Sequence, residues 1–139
     1  LWERFMTFWE QNHKRFPHLF SQDVTYEAHV RHSEAARKEA FEVLVGVEVE
    51  KLEGVPLELV IKLLPPSTYA GFTLRGDQIT ADWDQTILTG WMARTGYEPA
   101  HPFSLQRYDE RFKGLNRIEE SVLELYVPIR RSSPRRGVA

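Results

Sequence analysis

With 139 residues, 42% hydrophobic and 27% charged, the chain suits one globular domain with one sizeable core. A net charge of −2 argues against a nucleic-acid-binding surface, and the absence of cysteine excludes disulfides, thiolate metal sites and cysteine nucleophiles. No apolar run approaches the roughly 20 residues needed to cross a membrane and no signal peptide is visible, so a cytoplasmic protein is expected.

Residues 1–16 predict a helix: Trp2, Phe5, Met6, Trp9, His13 and Phe16 recur at spacings of three and four, and Pro17 then breaks the pattern. Val24–Val30 alternates as a strand, with Val24, Tyr26, Ala28 and Val30 on one face and Thr25, Glu27 and His29 on the other. A polar link, Arg31 to Ala40, leads to a second strand. There Val43, Val45, Val47 and Val49 point one way, and Glu42, Leu44, Glu48 and Glu50 the other. Gly54 and Pro56 end it. Leu57–Leu63 and Thr68–Leu74 are also strand-like, interrupted by Pro65 and Pro66.

A second helix is expected from about Thr80 to Arg94. Asp82 and Asp84 favour the positive end of its dipole, Ile79, Trp83, Ile87 and Trp91 form its buried stripe, and Gly96 is suited to cap its C-terminus. Phe103–Asp109 and Ser121–Ile129 read as the last two strands, the latter with Leu123, Leu125, Val127 and Ile129 on one face. The basic end carrying Arg130, Arg131, Arg135 and Arg136 among Ser and Pro is expected to be a disordered tail from residue 131.

The two halves repeat a helix–strand–strand order. Leu1-Trp2-Glu3 echoes Asp82-Trp83-Asp84, and Trp9 echoes Trp91 with one residue of slippage. A strand precedes the second helix but not the first. By symmetry a strand is expected ahead of Leu1, truncated, disordered or absent here; its lack would leave a sheet edge or groove uncovered and is compatible with a homodimer.

These segments, in this order, resemble a known family. Leu1-Trp2-Glu3-Arg4-Phe5-Met6 is similar to its first helix, and Val45-Gly46-Val47-Glu48-Val49 to the strand closing its first half. Thr68-Tyr69-Ala70-Gly71-Phe72 with Gly76 opens the second half; Trp91 with Thr95-Gly96-Tyr97-Glu98 ends its second helix. Tyr108-Asp109 and Tyr126-Val127-Pro128-Ile129 fall in its last two strands. The family is the GyrI-like or AraC-type effector-binding domain, found also as the drug-sensing half of BmrR-like regulators. The resemblance implies an α+β fold over residues 1–130: two pseudo-symmetric β-α-β-β repeats (1–54 and 55–130) form an antiparallel sheet, with two helices on one face flanking a ligand groove. It also implies a carboxylate two residues before the tyrosine of the penultimate strand, there to pair with cationic drugs. Gln106 stands at that position here. A neutral amide can hydrogen-bond a ligand but cannot neutralise its charge.

The candidate ligand-binding residues are accordingly Trp9, Tyr26, Val47, Trp91, Gln106, Tyr108 and Glu119. Glu119 shares the parity of Leu123 and Leu125 and is the remaining carboxylate that could face a groove; its competing role is a solvated loop residue. Trp9, Trp91, Tyr26 and Tyr108 could stack on a ligand or simply fill the core, whereas core packing is the expected role of Trp2 and Trp83. Glu48, Glu50 and Glu124 are expected in solvent. His29 and His32 straddle a strand end and lack metal-site spacing, and no phosphate loop or serine elbow appears. No catalytic residue, metal or cofactor is assigned.

The expected function is a stand-alone domain that senses or sequesters a hydrophobic, aromatic and preferably cationic small molecule, with no direct contact to nucleic acid or membrane. Two rival readings come from the family: a hydrolase of cyclopropane-containing toxins, against which Gln106 argues because an amide is no general base, and a gyrase-inhibitor-like protein-binding module.

Overall fold

A computed structural model describes residues 1–16, 18–19, 23–31 and 41–132. Pro17, most of the polar link (residues 32–40) and the tail from residue 133 lie outside the described residues. Helix α1, Trp2–Asn12, runs into a 3-10 turn, His13–Arg15. Strands β1 (Thr25–Arg31) and β2 (Phe41–Gly46) form a first hairpin. Next come β3 (Thr68–Arg75), helix α2 (residues 83–95), the short β4 (Tyr97–Pro99), β5 (Phe103–Tyr108) and β6 (Val122–Arg131).

All pairings are antiparallel, in the order β2-β1-β5-β6-β3, with β4 beside the end of β6. The α+β class read from the sequence is therefore the observed one. No helix among the described residues is long and apolar enough to cross a membrane.

The period-two pattern of β6 makes the core. Leu123 and Leu125 are almost wholly buried, at 1% and 0% exposure, and Val127 and Ile129 lie in the same row. Partners in an antiparallel register share a face. Leu123, Leu125 and Val127 therefore line up with Leu74, Phe72 and Ala70 of β3. Ile87 and Met92 of α2 close this layer, and Ile79, Trp83 and Trp91 pack against it, which is the stripe expected of that helix.

Helix α2 departs from the expected regular helix. It starts at Trp83, where the Asp82 carboxylate accepts the Gln85 N–H at 3.2 Å, and widens to a π-helical stretch over Thr86–Trp91. It ends at Gly96, whose φ of 77° is left-handed and favours glycine. Residues 57–63, expected as a strand, are not one. Leu59 N–H bonds to the Pro56 carbonyl at 3.2 Å in a turn, and beyond it, as far as Ser67, the chain pairs with no strand among the described residues. Arg131, assigned to the tail, is the last residue of β6.

Helix-distant side chains form an ion network on the other face of the sheet. The buried Asp109 carboxylate, 7% exposed, accepts from Arg107 at 2.7 Å and from Arg111 at 2.8 and 3.0 Å. Arg111 also reaches Glu124 at 3.0 Å, and Glu124 accepts from Thr73.

Candidate ligand-binding site

The cross-strand register decides which polar groups meet beneath the helices. Glu27 of β1 stands directly opposite Gln106 of β5, and Gln106 opposite Leu125 of β6. Leu125 belongs to the core layer under α2, so Glu27 and Gln106 share the helix-covered face, together with His29, Ser104 and Tyr108. The helix-covered row of β1 is thus the polar one, Thr25, Glu27 and His29.

Two residues hold the Glu27 carboxylate. His29 Nε2 lies 2.5 Å from one oxygen, and the Trp2 indole N–H donates to the other at 2.6 Å. The side chain is only 17% exposed. The His29 contact, opposed by burial and helped by the Trp2 donor, holds the Glu27 carboxyl below its ordinary range, so it is an anion at neutral pH. Trp2 in turn stands edge-on to Tyr108, with ring centroids 5.1 Å apart, and the Tyr108 hydroxyl donates to the Gln106 carbonyl at 2.6 Å. Burial first, and then the Glu27 charge, keep that phenol protonated far above its usual range.

Gln106 is buried, and its amide nitrogen lies 3.5 Å from His29 Nε2. One ring nitrogen cannot donate to Glu27 and accept from Gln106 at once, and the 2.5 Å contact with the carboxylate is much the stronger. The Gln106 NH2 group is thus poorly served, beside a ring that itself faces open space.

That space is a cleft of about 310 Å³ between the start of α2 and the sheet. The sheet lines it with His29, Ser104 and Val127, and α2 with Trp83 and Ile87. Asp82, His101 and Arg31 add ionisable groups to the lining. The volume falls at the small end of ligand pockets. Trp83, the first residue of α2, lines the cleft, and Trp2, the first residue of α1, is bonded to Glu27.

The structure distributes the expected site residues unevenly. It brings Gln106 and Tyr108 together in one hydrogen-bonded network. Tyr26 is paired with Arg107, on the opposite face of the sheet, and donates to Glu48 at 3.1 Å. Trp9 is buried between Phe5 and Phe16, and Trp91 packs against Phe72 and Tyr97. Val47 follows the end of β2 and is half-buried. Glu119 is exposed on the 3-10 turn Leu115–Glu120, at the end of β6 away from Val127. Glu27, His29 and Trp83 were not among the expected ligand residues. The available signal was the polarity of Glu27 and His29 within a strand, and an aromatic, Trp2 or Trp83, at the first position of each helix.

Comparison with known proteins agrees with the effector-binding resemblance. Residues 2–129 match the sequence model of a family described as Cass2, integron-associated effector binding protein. Over 91 residues, 64% of this chain, the sequence is 34% identical to the transcriptional regulator BrlR of Pseudomonas aeruginosa. The matched part is 33% of that regulator, so the chain spans about a third of the length of the curated relative.

Proposed function

Because this chain belongs to the Cass2 family of integron-associated effector-binding proteins, we propose that its ligand is a lipophilic aromatic cation, taken into the cleft beside α2 and anchored on Glu27. The observation that carries this reading is the Glu27 carboxylate: ionised, nearly buried, on the helix-covered face, and in contact with His29, which lines the cleft. A buried anion is costly to leave unpaired, and a ligand cation is a partner that water cannot match there. Glu27 thereby supplies the charge that Gln106 lacks, from the strand directly opposite.

In the bound state the ligand's cationic group displaces the His29 ring from Glu27, its aromatic body lies on Trp83, and an acceptor on it takes the underused Gln106 amide N–H. The lowered pKa of Glu27 suits an ion-pairing group better than a general base, which favours binding over hydrolysis. Kinship with a transcriptional regulator supports a sensing role, in which occupancy of the cleft is read by a DNA-binding partner or module.

The test is a fluorescence titration with a matched series of planar aromatic compounds: a cation, its neutral isostere and an anion. Trp2 and Trp83 flank the region and report on it. Saturable quenching that ranks cation over neutral over anion is expected. Equal affinity for cation and neutral isostere would remove Glu27 from the recognition, and no saturable response would remove the ligand reading itself.

A further inference from the structure

Between β2 and β3 the chain exposes aliphatic side chains that no described residue covers. Leu57 is fully exposed, and Val60, Ile61 and Leu63 are exposed by 79%, 51% and 75%. None of the backbone hydrogen bonds among the described residues falls on residues 60–66. An extended stretch with unpaired N–H and C=O groups is a template for another strand.

The order of the residues selects the partner. Leu57-Glu58-Leu59-Val60-Ile61-Lys62-Leu63 has the same chemical pattern read in either direction from Val60. We propose that this segment is a homodimer contact, in which two copies pair antiparallel about a two-fold axis at Val60. Leu57 then faces the partner's Leu63, Glu58 faces the partner's Lys62, and Leu59 faces the partner's Ile61, each twice. Val60 faces itself. Alternation puts Leu57, Leu59, Ile61 and Leu63 of both copies on one face and both Glu58–Lys62 pairs on the other.

Other arrangements fail on charge. A parallel in-register pair sets Glu58 against Glu58 and Lys62 against Lys62. An antiparallel slip by one residue sets Glu58 against Leu63 and Lys62 against Leu59. Pro56 on one side and Pro65-Pro66 on the other limit the ribbon, since proline has no N–H to extend a ladder. Among the described residues, one backbone bond on the segment, from Leu59 N–H to the Pro56 carbonyl, has to open for pairing. The inference does not depend on the ligand reading.

A chain with no native cysteine allows a direct test. Residues paired across an antiparallel ladder have Cα atoms about 4.5–5.5 Å apart, within disulfide reach. Val60→Cys should therefore form an interchain disulfide under mild oxidation. Glu58→Cys should not, because its own mate lies four residues further along, at roughly 13 Å, whereas Glu58→Cys mixed with Lys62→Cys should cross-link. In sedimentation, the unmodified protein should show a concentration-dependent monomer–dimer equilibrium. Lys62→Glu should weaken it at least tenfold, and Glu58→Lys with Lys62→Glu should restore it. All of these residues are exposed or half-buried, so folding is not at stake. A monomer at every concentration, cross-linking of Glu58→Cys as fast as Val60→Cys, or no rescue by the charge swap would each overturn the proposal. The first of these outcomes would leave the segment to a different protein partner.

Discussion

Trp2 and Glu27, twenty-five residues apart in the chain, are joined by an indole N–H to carboxylate bond of 2.6 Å. This bond fastens the first residue of α1 to the middle of β1, and it occupies one oxygen of the group that we read as the ligand anchor. Helix position and ligand affinity are thus coupled through one carboxylate.

Trp2→Phe separates the two roles, because it keeps the ring edge against Tyr108 and deletes the donor. Loss of one hydrogen bond to a charged group should cost about 1–2 kcal/mol of stability, read as a lower urea midpoint. Affinity for an aromatic cation should rise severalfold, because the carboxylate loses a competitor. A fall in affinity matching the loss of stability would show that Trp2 contacts the ligand instead.

Glu27→Gln keeps the shape of the site and removes its charge. Cation affinity should drop by roughly ten- to a hundredfold, the worth of a charge-assisted contact, while the neutral isostere binds within about twofold of the parent. The pH dependence follows from the lowered Glu27 pKa. The carboxylate is ionised above it, so cation affinity should stay level through neutral pH. It should then fall as pH drops through a point below the ordinary 4.5. Isothermal titration across that range in the parent, and its flat counterpart in Glu27→Gln, checks both statements.

The parts of this chain with one strong period were readable before any coordinates. The row Leu123–Ile129 and the stripe Ile79–Trp91 stand out because burial on one side forces apolar residues every two or every three to four positions. Residues 57–63 have the same alternation without a partner among the described residues, and alternation alone does not make a ladder. The site was harder for a related reason. A ligand groove puts polar groups on the helix side of a sheet, so the polarity that marks Glu27 and His29 is the same signal that marks a solvent face. Only the pairing of Glu27 with Gln106 and of Gln106 with Leu125 tells the two apart. Likewise Trp2, Trp9, Trp83 and Trp91 share a helical stripe pattern, and the sequence carries no sign of which helix end borders the cleft.

That division among tryptophans is testable in pairs. Trp91 is wedged edge-on to Phe72, at 5.3 Å, and stacked on Tyr97, at 5.7 Å. Trp91→Ala should cost about 2–4 kcal/mol, somewhat less than a fully buried ring, with ligand affinity unchanged once the protein is folded. Trp83→Phe retains most of the packing against the core and shortens the cleft wall. It should leave the melting temperature within a few degrees and weaken aromatic ligands about tenfold. The reverse pattern, with affinity lost at position 91 and held at position 83, would move the ligand to the other end of α2.

Stability against acid should depend on Asp109, on the far face of the sheet. Its carboxylate takes a fork from Arg111 and a further bond from Arg107, and the Arg111 bonds, against the effect of burial, hold its pKa at about 2 instead of the ordinary 3.8. A depressed folded-state pKa contributes stability that is fully present above the unfolded value and is lost as pH falls through the folded one. Asp109→Asn should therefore be less stable than the parent by about 1–2 kcal/mol at any pH above roughly 4, a figure reduced for the solvent that reaches both arginines. The gap should close between about pH 4 and pH 2, because the parent protonates Asp109 there and the variant has nothing to protonate. Urea unfolding of both proteins at several pH values in that window measures it. A gap that persists unchanged at pH 2 would mean that the asparagine disturbs packing rather than charge.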